Sequence, residues 1–206
     1  SNRPEVKARI AVLSAGVRTM AMEQGTEFFT SYANPENGPY VPEDLEPSFS
    51  GIRFGEVYDN SILRLHSHHD GLEPVFSAED VAGMGFFYKR KMQLGADDAN
   101  NITSMLVSDL GIFALRVTDP GKARQFSDKL AVGAYVNALV TAYSKDVQRK
   151  AFNACNCTLP SIEYEKLLSD YLIDFLVQQN TGLTLYSAQL GANGNYVWTV
   201  HPKYNQ

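Results

Sequence analysis

Early in the chain, apolar residues recur at Ile10, Leu13, Val17 and Met20. That helical spacing predicts an amphipathic helix over residues 5–24, with Gly25 as its stop. Residues 27–33 (EFFTSYA) then turn aromatic and β-favouring. The Asn34-Pro-Glu-Asn-Gly38 run has strong turn chemistry, and residues 39–50 carry Pro39, Pro42 and Pro47 among several acids, which reads as a loop. Residues 52–57 suggest a short strand. Residues 61–68 suggest a better one, with Ile62, Leu63 and Leu65 as its β-forming positions. Ser77-Ala-Glu-Asp80 opens a helix, with a serine N-cap and an acid three places on, close to a capping box.

Residues 104–117 read as a hairpin turning at 108–111, and Asp119-Pro120-Gly121 is strong punctuation. Helices are expected over 130–152 and over 161–180, the latter with Ile162, Leu168, Leu172, Phe175 and Leu176 along one stripe. Residues 183–190 and 196–201 suggest a closing hairpin around Gly191-Ala-Asn-Gly194. The fold class is α+β: a mixed core over 1–118, then a helical extension with a terminal hairpin over 119–206. The stripe at Leu168, Leu172 and Phe175 needs a surface to cover, so the two parts are expected to pack together.

Composition narrows the function classes. With 206 residues, 44% of them hydrophobic and 20% charged, the chain can bury a sizeable core. Its net charge is −5 and its longest basic run is Lys89-Arg90-Lys91, which argues against a nucleic-acid surface. No apolar run approaches the roughly 20 residues of a membrane span. Cys155 and Cys157 cannot form a disulfide framework and read as two ordinary thiols. The chain opens Ser1-Asn-Arg-Pro4 without a signal-peptide pattern, as a trimmed form of something longer would, so the compartment stays open. There is no phosphate-binding glycine loop and no Gly-x-Ser-x-Gly elbow, and no histidine adjoins the cysteines.

Three of the four histidines are His66, His68 and His69. Residues two apart in a strand face the same side, so His66 and His68 can aim at one point. Asp80, on the first turn of the next helix, can return a carboxylate to the strand end. Two imidazoles and a carboxylate suit Zn2+ and leave a fourth tetrahedral position for water. His69 points away in an extended segment and reads as a solvated loop residue, although a substrate contact stays open for it. His201 defaults to a structural or surface role.

The string His66-Ser67-His68, eight residues, Ser77, two residues, Asp80 resembles the JAMM motif of the JAB/MPN metallopeptidases, in a divergent bacterial form. The resemblance covers roughly residues 5–118. It implies a cytidine-deaminase-like mixed sheet flanked by helices. Three departures stand out: His69 replaces the usual proline, the gap before Ser77 is one residue longer than the commonest, and Phe28 and Phe29 replace glycines after the upstream glutamate. Carried over, the resemblance makes His66, His68 and Asp80 the zinc ligands. Ser77 becomes the group that holds the oxyanion, and an upstream glutamate the general base. Glu27 is the first choice for that base. Glu23 is the runner-up, expected still to sit on the helix, and Glu56 reads as a solvated strand residue. The implied function is zinc-dependent hydrolysis of a peptide, isopeptide or other amide bond. The alternative is a catalytically inactive module that binds a partner protein, and a weaker third reading is a delivered effector whose extension recognises a target.

Overall fold

The computed structural model describes residues 2–49, 51–69, 71–156 and 161–203. Its centre is one seven-stranded sheet built from β1 (Glu23–Phe29), β2 (Val41–Ser48), β3 (Ser61–Ser67), β4 (Thr103–Val107), β5 (Ile112–Val117), β6 (Leu183–Leu190) and β7 (Tyr196–Val200). The spatial order is β2-β1-β3-β4-β5-β6-β7. β3 and β4 run parallel and the other neighbouring pairs antiparallel. A parallel pair needs a crossover, which is supplied here by α2 (Ala78–Gln93). The class is α+β, with a mixed sheet flanked by helices.

Helices cover both faces. On one, α1 (Pro4–Gly16) lays Val6, Ile10 and Leu13 over Phe28, Leu63, Leu65 and Met105. On the other, α2 packs with α3 (Pro120–Leu130) and α4 (Gly133–Tyr143), while α5 (Arg149–Cys155) and α6 (Ile162–Gln178) pack on each other. Val81 and Phe87 of α2, Phe126 of α3, and Leu168, Leu172 and Phe175 of α6 share one apolar cluster with Leu106, Phe113 and Leu185 of the sheet. Residues on both sides of position 118 therefore enter one core. β6 continues the main sheet from the edge of β5, so the terminal hairpin is part of the sheet and not an appendage.

Several expectations need correction. The first helix stops at Gly16, not near Gly25, and Glu23 begins β1. The apolar spacing misled because Val17 is buried just past the helix end. Residues 41–48 are an edge strand, not a loop. Their prolines and acids are what an exposed edge tolerates, since half its backbone groups need no partner. Residues 52–57 form no strand. Asp119-Pro120 marks a helix start: the Asp119 side chain caps the Lys122 N–H at 3.0 Å, and Pro120 takes the first-turn position where a missing N–H costs nothing. The helix expected over 130–152 is interrupted by a π-turn at Ser144–Gln148. Cys155 is disulfide-bonded and not an ordinary thiol, while Cys157 lies outside the described residues. Among the described residues, no helix is long and apolar enough to cross a membrane.

Candidate metal centre

The alternation of β3 builds the site. Leu63 and Leu65 face α1, so Arg64 and His66 face the α2 side. His68 keeps the same phase one residue past the strand, where its N–H still donates to the Val107 carbonyl (2.9 Å). Both imidazoles are buried. The third group arrives through the start of α2. Ser77 Oγ accepts from the Asp80 N–H (3.1 Å), and the Ser77 N–H donates to Asp80 Oδ2 (2.8 Å), forming a complete capping box. The cap fixes the Asp80 rotamer and leaves Oδ1 directed at His66.

Nε2 of His66 lies 3.2 Å from Nε2 of His68. Asp80 Oδ1 is 3.2 Å from His66 Nε2, and Oδ2 is 3.4 Å from His68 Nε2. A tetrahedral Zn2+ with bonds of about 2.0–2.1 Å needs its donors roughly 3.3–3.4 Å apart. The imidazole pair already stands near that separation, and the Asp80 carboxylate comes as close to each ring, through Oδ1 to His66 and through Oδ2 to His68. They form a group able to hold a metal ion. The donor set also fits chemically, as neutral imidazoles and a carboxylate suit a borderline divalent ion.

The ring orientation of His68 is fixed from behind. Its Nδ1 donates to the Glu73 carbonyl (2.6 Å), which turns Nε2 toward His66 and Asp80 as the nitrogen that would bind a metal. Burial alone would lower the His68 pKa, but the Asp80 carboxylate, the Glu73 carbonyl and the charge of Glu23 outweigh it and raise it. Burial would likewise raise Asp80, yet the two imidazoles hold its carboxyl well below the usual range. His66 packs edge-on against Phe54 and Phe76, and its Nδ1 is buried without a hydrogen-bond partner among the described residues.

The glutamates divide by register. Gly25 pairs with His66 across β1 and β3, so Glu23, Gly25 and Glu27 share the face of the histidines. Glu27 lies opposite Arg64 and is ion-paired with it at 3.4 Å; burial raises its pKa despite that partner. Glu23 lies at the other end, four residues and about 13 Å of strand away. It lines a cleft of about 670 Å3 together with His68, Ser77 and Asp80, whereas Glu27 does not. Its Oε2 accepts from the Ile52 N–H (3.1 Å). Gly25 makes this contact possible, since a Cβ there would sit 2.6 Å from Ile52 Cγ2. The segment 51–54 thus folds over β1 and walls the cleft.

The remaining candidates lie elsewhere. His69 is half-buried and does not line the cleft. Glu56 is exposed and 3.8 Å from Arg90. His201 is buried against Phe113, with Nε2 3.1 Å from Ser169 Oγ. Sequence reasoning did not single out Glu73 or Gln148 as cleft residues, or Tyr143, whose hydroxyl donates to Glu73 Oε2 (2.8 Å). Their contacts depend on long-range packing that no local pattern encodes. Comparison with protein-family models, curated proteins and solved structures finds no match to this chain.

Proposed function

We propose that the chain is a metal-dependent hydrolase of a peptide, isopeptide or other amide bond, of JAB/MPN-like architecture, with Zn2+ held by His66, His68 and Asp80. The observation that carries this reading is the convergence of the three side chains, with 3.2 Å between the two imidazole nitrogens and 3.2 and 3.4 Å from these to the two Asp80 oxygens, beside an open cleft. The order of elements supports it too: a helix, a strand headed by glutamate, an edge strand, a strand that runs into His-x-His, and a helix capped by Ser-x-x-Asp.

A bound Zn2+ supplies Lewis acidity and makes a water acidic enough to ionise near neutral pH. The chain's own groups divide the remaining work. Glu23, in the cleft, takes the general-base role that the resemblance in sequence gives to Glu27: it accepts a proton from the attacking water and returns it to the leaving amine. Ser77 Oγ spends a lone pair on the helix cap, so its hydroxyl proton is left to donate to the oxyanion that develops on the scissile carbonyl. Phe54, Met84 and Phe87 give the cleft apolar walls that can exclude water around the bond.

The test compares two glutamines in zinc-loaded protein, assayed on peptide and isopeptide-linked substrates. Glu23→Gln keeps its metal and loses about 10²–10⁴-fold in turnover, the usual worth of a general acid–base group. Glu27→Gln keeps its turnover. The opposite ranking would return the base to Glu27. A zinc-loaded wild type that cleaves none of these substrates would favour the partner-binding module.

A further inference from the structure

We propose that Tyr143 and Gln148, from the helices after β5, are positioning residues of the metal centre, which clamp Glu73 so that its carbonyl holds His68 in the ligating tautomer. This inference rests on the metal-centre reading above. Among the described residues between His68 and Ser77, none lies in a helix or strand. Yet this segment must place two ligand arms. The Glu73 carbonyl orients His68, and the residues after it deliver the Ser77 cap that holds Asp80.

Tyr143 reaches both parts with one shared proton. Its buried hydroxyl lies 2.8 Å from Glu73 Oε2 and 2.9 Å from the Phe76 carbonyl. Its ring is fixed edge-on to Phe175 at 5.4 Å. Burial and then the Glu73 charge push the phenol well above its ordinary range, so it remains a donor at any working pH. Gln148 Nε2 donates to the other carboxylate oxygen, Glu73 Oε1. Ser108 Oγ adds a third tie, to the Pro74 carbonyl (2.7 Å).

The π-turn gives the pair its geometry. In an uninterrupted α-helix, a residue five places on lies about 140° around the axis, so Gln148 would face away from Tyr143. Closure from i to i+5 over Ser144–Gln148 brings it back over the same side, where both reach one carboxylate. Such turns recur at functional sites, and here the turn gives a long-range contact to a ligand's hydrogen-bond partner.

The experiment uses full-length Tyr143→Phe and Gln148→Met, with Tyr135→Phe as a control phenol whose hydroxyl faces Gln179 instead. Zinc affinity is measured by chelator competition, and the ring-nitrogen chemical shifts of His68 are read in the metal-free proteins. Both variants should bind zinc about 10–100-fold more weakly, the usual cost of losing such outer contacts. Both should show His68 as a tautomer mixture, whereas wild type and control keep Nδ1–H. Wild-type affinity in both variants, or weaker affinity with an unchanged tautomer, would overturn the clamp. If circular dichroism shows Tyr143→Phe unfolded, Gln148→Met decides alone. A wild type that takes up no zinc overturns the metal centre and the clamp with it, whereas zinc uptake that is equal in all variants overturns only the clamp.

Discussion

Glu23 and Glu27 have the same side chain on the same face of β1, and their neighbours give them different work. Glu27 meets Arg64, whose guanidinium is sandwiched 4.8 and 4.4 Å from the Phe54 and Phe87 rings. Losing that charge should cost about 1–3 kcal/mol of stability, so Glu27→Gln is expected to melt earlier in denaturant while still turning over. That His66, His68 and Asp80 come together is legible in the sequence because each depends on local geometry: a strand's two-residue period and a helix's first turn. The sequence pattern puts Glu23 on the first helix because the apolar spacing through Val17 and Met20 runs past the true end at Gly16. Tyr143 yields a pH prediction. Its folded pKa lies well above the ordinary value of about 10, so the folded chain holds this proton more tightly than the unfolded one. The stability it contributes is complete below about pH 10 and is lost as pH rises from there toward the folded pKa. Urea unfolding at about pH 8 and pH 11 should show Tyr143→Phe losing less stability across that interval than wild type does; an equal loss would contradict the assignment.

Among the elements, β2 and α3 show where sequence patterns have two meanings. Pro42, Pro47 and the acids of β2 look like a loop, yet an edge strand accepts them because one side of its ladder is unpaired. Asp119-Pro120-Gly121 looks like a turn, yet Asp-Pro is also a cap followed by a first-turn proline. The start of α3 is locked by Gly182, whose carbonyl accepts from the N–H groups of Thr118 and Asp119 at 3.0 and 3.1 Å. Gly182 has φ +70°, and a Cβ there would meet the Asp119 carbonyl at 2.4 Å and the Ala123 nitrogen at 2.5 Å. Both neighbours are backbone and cannot move aside. Gly182→Ala should therefore cost at least about 1–3 kcal/mol in urea or thermal unfolding. A neutral substitution would show that the crossing of β6 and α3 is looser than these distances imply.

For the whole molecule, the sheet runs continuously from β2 to β7 and its α2-side core draws on the chain before and after residue 118. Limited proteolysis around 119–121 should not release two folded fragments, because β5 would lose β6 from its edge and α2 would lose α3 from its side. Two separately folded pieces would contradict this. The same integration lets the later helices reach the Glu73 segment behind His68. The sequence pattern suggested this packing through the stripe at Leu168, Leu172 and Phe175, but not which residues would reach the site. The pattern marks an apolar face, and only the assembled fold decides what that face meets. The most direct measurement is elemental analysis of purified protein beside its His66→Ala/His68→Ala double variant. One zinc per wild-type chain and none in the folded double variant is the expected result; undiminished metal in the variant, or none in a zinc-exposed wild type, would contradict the metal centre.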